Sequence, residues 1–114
     1  MVNYTVVFDD VIKESFEKAI MEGNIKTIFK QWFDDLETLG PNAGKLLDNH
    51  VWLYEMKNKH PPLRLYYHYQ KALNKIIIFD FEMKTSEKKQ NQIIKKLTQR
   101  LSKFLNLYVY TLLS

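Results

Sequence analysis

A chain of 114 residues that is 46% hydrophobic and 14% aromatic, with 3 Gly and 3 Pro, is expected to fold as one domain (1–114) around a single core, which excludes a disordered or two-domain chain. There are no cysteines for a disulfide framework or a thiolate metal site, no run of about 18 apolar residues to span a membrane, and no charged-then-apolar leader. The net charge of +4 conceals a split: residues 1–56 carry five Lys against ten acidic residues, a net −5, and residues 57–114 carry twelve Lys or Arg against three acids, a net +9.

The first element is a strand, because residues 2–8, VNYTVVF, alternate and are β-branched. Asp9 and Asp10 follow as N-cap candidates, and Val11, Ile12, Phe16, Ala19 and Ile20 recur at helical spacing until Gly23-Asn24. A second helix carries the unbroken stripe Ile25, Ile28, Phe29, Trp32, Phe33, Leu36 and Leu39, and Gly40-Pro41 stops it. The stretch PNAGKLLDN then reads as a loop. Three strands follow, at 50–57, 62–69 and 75–84, and their short turns make them antiparallel neighbours. A last helix starts near Ser86 with an apolar stripe of Ile93, Ile94, Leu97, Leu101, Phe104 and Leu105. The closing LYVYTLLS is open between a helix end, an edge strand and a contact surface.

The order β-α-α-β-β-β-α describes an α+β domain: an antiparallel sheet packed on an N-terminal helical hairpin, with a basic C-terminal helix. Strand parity sorts Trp52, Tyr54, Met56, Leu63, Leu65, Tyr67, Ile77, Phe79 and Phe81 onto the face toward the hairpin. Trp32, Phe29, Trp52 and Phe81 are expected in the core. The other face receives Leu53, Glu55, Lys57, Arg64, Tyr66, His68, Asp80, Glu82 and Lys84. Beside it runs a helix bearing Lys88, Lys89, Lys95, Lys96, Arg100 and Lys103. A half-domain this basic attracts polyanions, and nucleic acid is the commonest. The helical cations would contact phosphates and Tyr66 would stack a base. The plainer alternative is a solvated lysine-rich face. Likewise Arg64 has a structural alternative in cross-strand pairs with Glu55 or Asp80.

Two separated segments, LGPNAGKLLDNHVWLYEMKNKHPPLRLYYHY and IIIFDFEMKTSEKKQNQIIKKL, resemble the RelE/ParE superfamily of toxin-antitoxin toxins, most of all its HigB-type, phage-associated branch. Leu39-Gly40-Pro41 matches the family's loop, Arg64 falls on its strand arginine, and Phe81, Lys84 and Thr85 match the segment that opens the last helix. The resemblance implies an endoribonuclease that cleaves mRNA, often on the ribosome, with no metal or other cofactor. Basic residues would orient the 2′-hydroxyl, stabilise the phosphorane and protonate the leaving oxygen. By this resemblance Arg64 clamps phosphate, and Lys57, Lys59, Lys84, His60 and His68 assist. The chain departs from the family pattern at Met83, Phe79 and Glu55, the last standing where a cation is expected. The expected partners are RNA, including ribosome-bound mRNA, a cognate antitoxin and a second copy in a homodimer; no membrane is expected, and the location is cytoplasmic. Two other functions fit the same fold: a catalytically inactive protein that binds nucleic acid or protein, of mobile-element origin, and a ParE-like gyrase poison.

Overall fold

The computed structural model describes residues 3–83 and 87–113, apart from the side chains of Glu87 and of residues 104–113. Strand β1 (Thr5–Phe8) runs into a single 3-10 turn at Asp10–Ile12, which Asp9 opens by accepting the Val11 N–H at 3.3 Å. Helices α1 (Lys13–Ala19) and α2 (Gly23–Leu39) then form the hairpin. Gly23, expected to end the first helix, instead opens the second. The break falls at Ile20–Glu22, where successive main-chain bonds to Phe16, Lys18 and Ala19 tighten into a turn.

The stripe of α2 buries Ile25, Phe29, Trp32 and Leu36, whereas Leu39, at the helix end, is exposed. Gly40 closes the helix with φ +71°, and a Cβ there would collide with the Tyr4 ring. Glycine is required at this position both for its backbone angle and for the packing of Tyr4.

One five-stranded sheet has the order β1-β5-β4-β3-β2, with β2 (Lys45–Asp48), β3 (Leu53–Lys57), β4 (Leu63–Gln70) and β5 (Lys75–Met83). The pairs β3–β4 and β4–β5 are antiparallel, as their short turns require. The sheet as a whole is mixed, because β1 joins β5 in parallel from Thr5 opposite Lys75 to Phe8 opposite Ile78. That pairing spans the whole helical hairpin, so no local turn signals it. β2 is a further difference, drawn from the stretch that reads as a loop. It is a four-residue edge strand with a register break between Leu46 and Asp48, too short and irregular to show an alternating pattern.

Each face of the sheet is covered. The hairpin packs on Tyr54, Met56, Leu63, Leu65, Tyr67, Ile76 and Ile78, with Phe81 half-buried beside them. Helix α3 (Glu87–Leu113) lies across the other face, its Leu97 and Leu101 buried on Leu53, Tyr66, Ile77 and Phe79. Simple strand parity puts Ile77 and Phe79 on the hairpin side, and the structure corrects it. A bulge sets Tyr66 opposite Asp80 but Tyr67 opposite Ile78, so Phe79 is an extra residue and parity counted through it inverts. Trp52 is also corrected: it lies in the turn before β3 with φ +51° and is 48% exposed. The helix continues through LYVYTLL to Leu113; the expected burial of Phe104 and Leu105 lies outside the described side chains. Among the described residues, no helix is long and apolar enough to cross a membrane.

Candidate functional site

The register lays two polar rows across the α3 face of the sheet. One is Lys57–Arg64–Glu82, and the next is Glu55–Tyr66–Asp80, which β2 extends with Lys45 opposite Glu55. Arg64 is 9% exposed. Its Nη1 donates to the main-chain oxygens of Asn58 and Leu63, each at 3.1 Å. Its buried Nε has no partner, and the guanidinium makes no ion pair, among the described residues. The acids that could have neutralised it are bonded elsewhere. Glu55 accepts from the Gln90 amide, Asp80 from the Phe81 N–H at 2.8 Å, and Glu82 from the Tyr66 hydroxyl at 2.7 Å. Arg64 therefore keeps donors in hand on a face where each nearby carboxylate already has a hydrogen-bond donor.

The carbonyl of Asn58 ties Arg64 to the β3–β4 turn. Asn58 builds that turn, donating its N–H to Leu63 at 2.9 Å and its amide Nδ2 to Pro61 at 2.9 Å. Lys57, Lys59 and His60 are exposed on the same hairpin end. Four of the six residues expected at the catalytic centre thus come together: Lys57, Lys59, His60 and Arg64. His68 does not join them. It lies four residues further along β4, 2% exposed, with its Nδ1–H donating to the Val51 carbonyl at 2.7 Å. Burial pushes its pKa below the usual histidine value, which disfavours the charged ring. Lys84 lies outside the described residues.

Two expected nucleic-acid contacts are corrected by their surroundings. Tyr66 is fully buried beneath α3, and its ring is closed to any base. Burial and the carboxylate of Glu82 both hold its hydroxyl in the protonated form. Arg100 is a fastening cation. Its Nη2 donates to Asp9 at 3.1 Å and to the Phe79 carbonyl at 2.8 Å, and its guanidinium lies over the Phe79 ring. The other helical cations, Lys88, Lys89, Lys95 and Lys96, together with Lys103, are exposed. Beneath the helix, burial raises the pKa of Asp80, opposed by the Phe81 N–H and by the charges of Arg100 and Lys96.

Sequence reasoning missed two positioning residues. Asn58 gave no signal, because its role depends on the turn it closes. Gln90 did give one: with Ile94, Leu97 and Leu101 it continues the apolar stripe of α3 at helical spacing, a single polar side chain aimed at the sheet. Its bond to Glu55 anchors the start of the helix over the two polar rows.

No family model matches the chain, and no curated protein matches it in sequence. Solved structures do. The isolated E. coli RelE toxin superposes with a TM-score of 0.60 at 17% identity, over 82% of this chain and 98% of that one. An arginine-to-alanine double mutant of E. coli RelE in the free state gives 0.63 at 15% identity, over 82% and 97%. The RelBE2 toxin-antitoxin complex of Mycobacterium tuberculosis gives 0.56 at 21% identity, over 75% and 97%. At such identities the likeness is one of fold, and the chain has the RelE fold.

Proposed function

We propose that this chain is a toxin of the RelE/ParE superfamily that cleaves RNA at the β3–β4 end of its sheet. The observation that carries the reading is that, on a RelE fold, Lys57, Lys59 and His60 lie at the same hairpin end as Arg64, which makes no ion pair among the described residues. In the cleavage step the 2′-oxygen bonds to phosphorus and the bond to the 5′-oxygen breaks, leaving a 2′,3′-cyclic phosphate and a 5′-hydroxyl. Arg64 brings its fixed positive charge to the phosphorane through the guanidinium donors that Asn58 and Leu63 do not hold, and the lysines add point charges. His60 takes the proton of the 2′-hydroxyl and passes it to the leaving 5′-oxygen. This chemistry proceeds through the chain's own basic groups and asks for no metal. The exposed lysines of α3 hold the flanking phosphates.

On this reading a cognate antitoxin is the protein partner. The RelBE complexes solved from E. coli and from M. tuberculosis each join a toxin to its antitoxin. The matches at Leu39-Gly40-Pro41 and at Phe81, Lys84 and Thr85 support the HigB-type branch.

A second reading is supported by the burial of Arg64 and by the lid that Gln90 fastens over the polar rows: a RelE-fold protein that binds RNA or protein without cutting. The test is incubation of the purified chain with a defined mRNA, with and without translating ribosomes, followed by analysis of the new ends. Cyclic-phosphate ends that vanish in Arg64→Ala support the nuclease. Intact RNA under both conditions removes it and leaves the binder, and inhibited supercoiling by gyrase would point instead to a gyrase poison.

A further inference from the structure

The opposite end of the sheet carries a cleft that the hairpin leaves uncovered. Helix α2 stops at Leu39, and beyond Pro41-Asn42 a space of about 490 Å³ opens between that turn and residues 71–73. This is within the range of sites that take small ligands, roughly 300–1,000 Å³. Its walls are aromatic: Trp52, Tyr54 and Tyr69. Tyr54 is braced from behind by Tyr67, whose ring stacks on it at 5.2 Å and whose hydroxyl donates to the Pro41 carbonyl at 2.6 Å.

Three features distinguish the cleft from a bare apolar gap. Trp52 is held at φ +51°, a left-handed conformation that a bulky residue adopts only where its surroundings impose it, and the residue is 48% exposed. Polar residues sit on the lining as well, Asn42 and Gln70 with the edge of the buried His68. Finally, the lining contains no acid, and its one full charge is Lys71. Aromatic walls, amide edges and a lone cation match a planar heterocycle attached to an anion.

We propose that this cleft binds a nucleobase together with its adjoining phosphate. The base stacks against Trp52 and Tyr69, Asn42 and Gln70 read its polar edge, and Lys71 meets the phosphate. Stacking of a base on an aromatic side chain is sequence-tolerant, and the amides and Lys71 add to it. The ligand has two sources of the same chemistry, a free mononucleotide or a base splayed from an RNA strand. Along β4, Arg64 and Tyr69 are five residues apart, roughly 17 Å, and their side chains leave opposite faces of the sheet. The proposal stands apart from the cleavage reading, because it rests on the other end of the sheet.

The experiment is a titration of the full chain with each of the four nucleoside 5′-monophosphates, with ribose 5-phosphate as control, following the Trp52 indole resonance by NMR. At least one mononucleotide should shift that resonance and saturate, and ribose 5-phosphate should not. Lys71→Glu, at an exposed position, should weaken a mononucleotide about tenfold or more and leave the matching nucleoside unchanged, as expected when a phosphate loses its cation. Arg64→Ala should leave the titration intact, which separates this site from the nuclease. If a short oligoribonucleotide gives the same shift at lower concentration, RNA is the source; if the mononucleotide binds more tightly, the free nucleotide is. No shift with any nucleotide at millimolar concentration, an equal shift with ribose 5-phosphate, or saturation only by an apolar peptide would each overturn the proposal.

Discussion

Arg100 and Asp9 are joined across 91 residues of chain, with Nη2 3.1 Å from Oδ2. The same nitrogen donates to the Phe79 carbonyl at 2.8 Å, so one side chain of α3 is fastened to the end of β1 and to β5. Arg100→Ala should lower the unfolding free energy by about 1–3 kcal/mol, since it removes the charge-assisted bonds to Asp9 and to the Phe79 carbonyl. Asp9→Ala should cost about 0.5–2 kcal/mol, since it removes the partly exposed pair and the acceptor of the Val11 N–H. Urea denaturation of the two variants checks both. An unchanged midpoint in Arg100→Ala would mean that α3 is held by its apolar stripe alone.

Lys95 and Lys96 should behave in the opposite way, affecting binding chiefly, with stability touched only through the charge of Lys96 near Asp80. Both are exposed, and neither forms an ion pair among the described residues. The double change Lys95→Glu and Lys96→Glu should weaken RNA broadly across sequences. It should also flatten the log–log salt dependence by about 0.7 for each single-strand phosphate that is no longer neutralised. If affinity and slope stay as in the wild type, these lysines are a solvated face.

For Arg64, the expected loss is catalytic. If the chain cuts RNA, Arg64→Ala should reduce the rate by about 100- to 1,000-fold, the usual loss for one stabiliser of transition-state charge. Because Arg64 also holds the turn through Asn58, Lys57→Ala serves as the partner variant: an exposed change expected to slow cleavage while leaving the fold intact. Cleavage by Arg64→Ala at the wild-type rate would remove the arginine from the mechanism.

Asp80 gives a pH dependence with a definite sign. Its folded pKa is raised above the ordinary carboxylate value, mainly by burial, so the folded state binds its proton more tightly than the unfolded chain does. The stability this contributes is complete below the unfolded pKa of about 3.9 and is lost as pH rises through the folded value. Asp80→Asn keeps an acceptor for the Phe81 N–H and removes the titration. The variant should therefore gain on the wild type as pH rises from about 4 toward neutrality, read as the difference between their denaturation midpoints. A constant difference across that window would show that Asp80 is solvated in the folded state.

Trp32 tests the hairpin packing. It is 8% exposed, in edge-to-face contact with Phe29 at 5.8 Å. Trp32→Ala should cost about 3–5 kcal/mol, the range for deleting a large buried aromatic. A loss under about 1 kcal/mol would indicate that α2 is only loosely seated on the sheet.

The amino-acid sequence by itself determined what depends on near neighbours along the chain. The stripe of α2, its stop at Gly40-Pro41, the antiparallel β3–β4–β5 meander and the apolar seam of α3 all follow from spacing, turn length and capping. The cations of the β3–β4 turn were legible too, because a turn and the strand residues next to it are close whatever the rest of the fold does. Only the tertiary structure decided the parallel seat of β1, the bulge at Phe79 that reversed the strand parity, and the crossing of α3 over the polar face. Each of these sets the environment of a side chain through residues distant in sequence. Tyr66 was legible as an outward strand residue, and only the packing of Leu97 and Leu101 from α3 turned it into a buried one. Arg100 was legible as a cation, and only the approach of Asp9 and Phe79 made it a fastening. Charge and periodicity are local properties of a chain, whereas burial and partnership belong to the elements that meet.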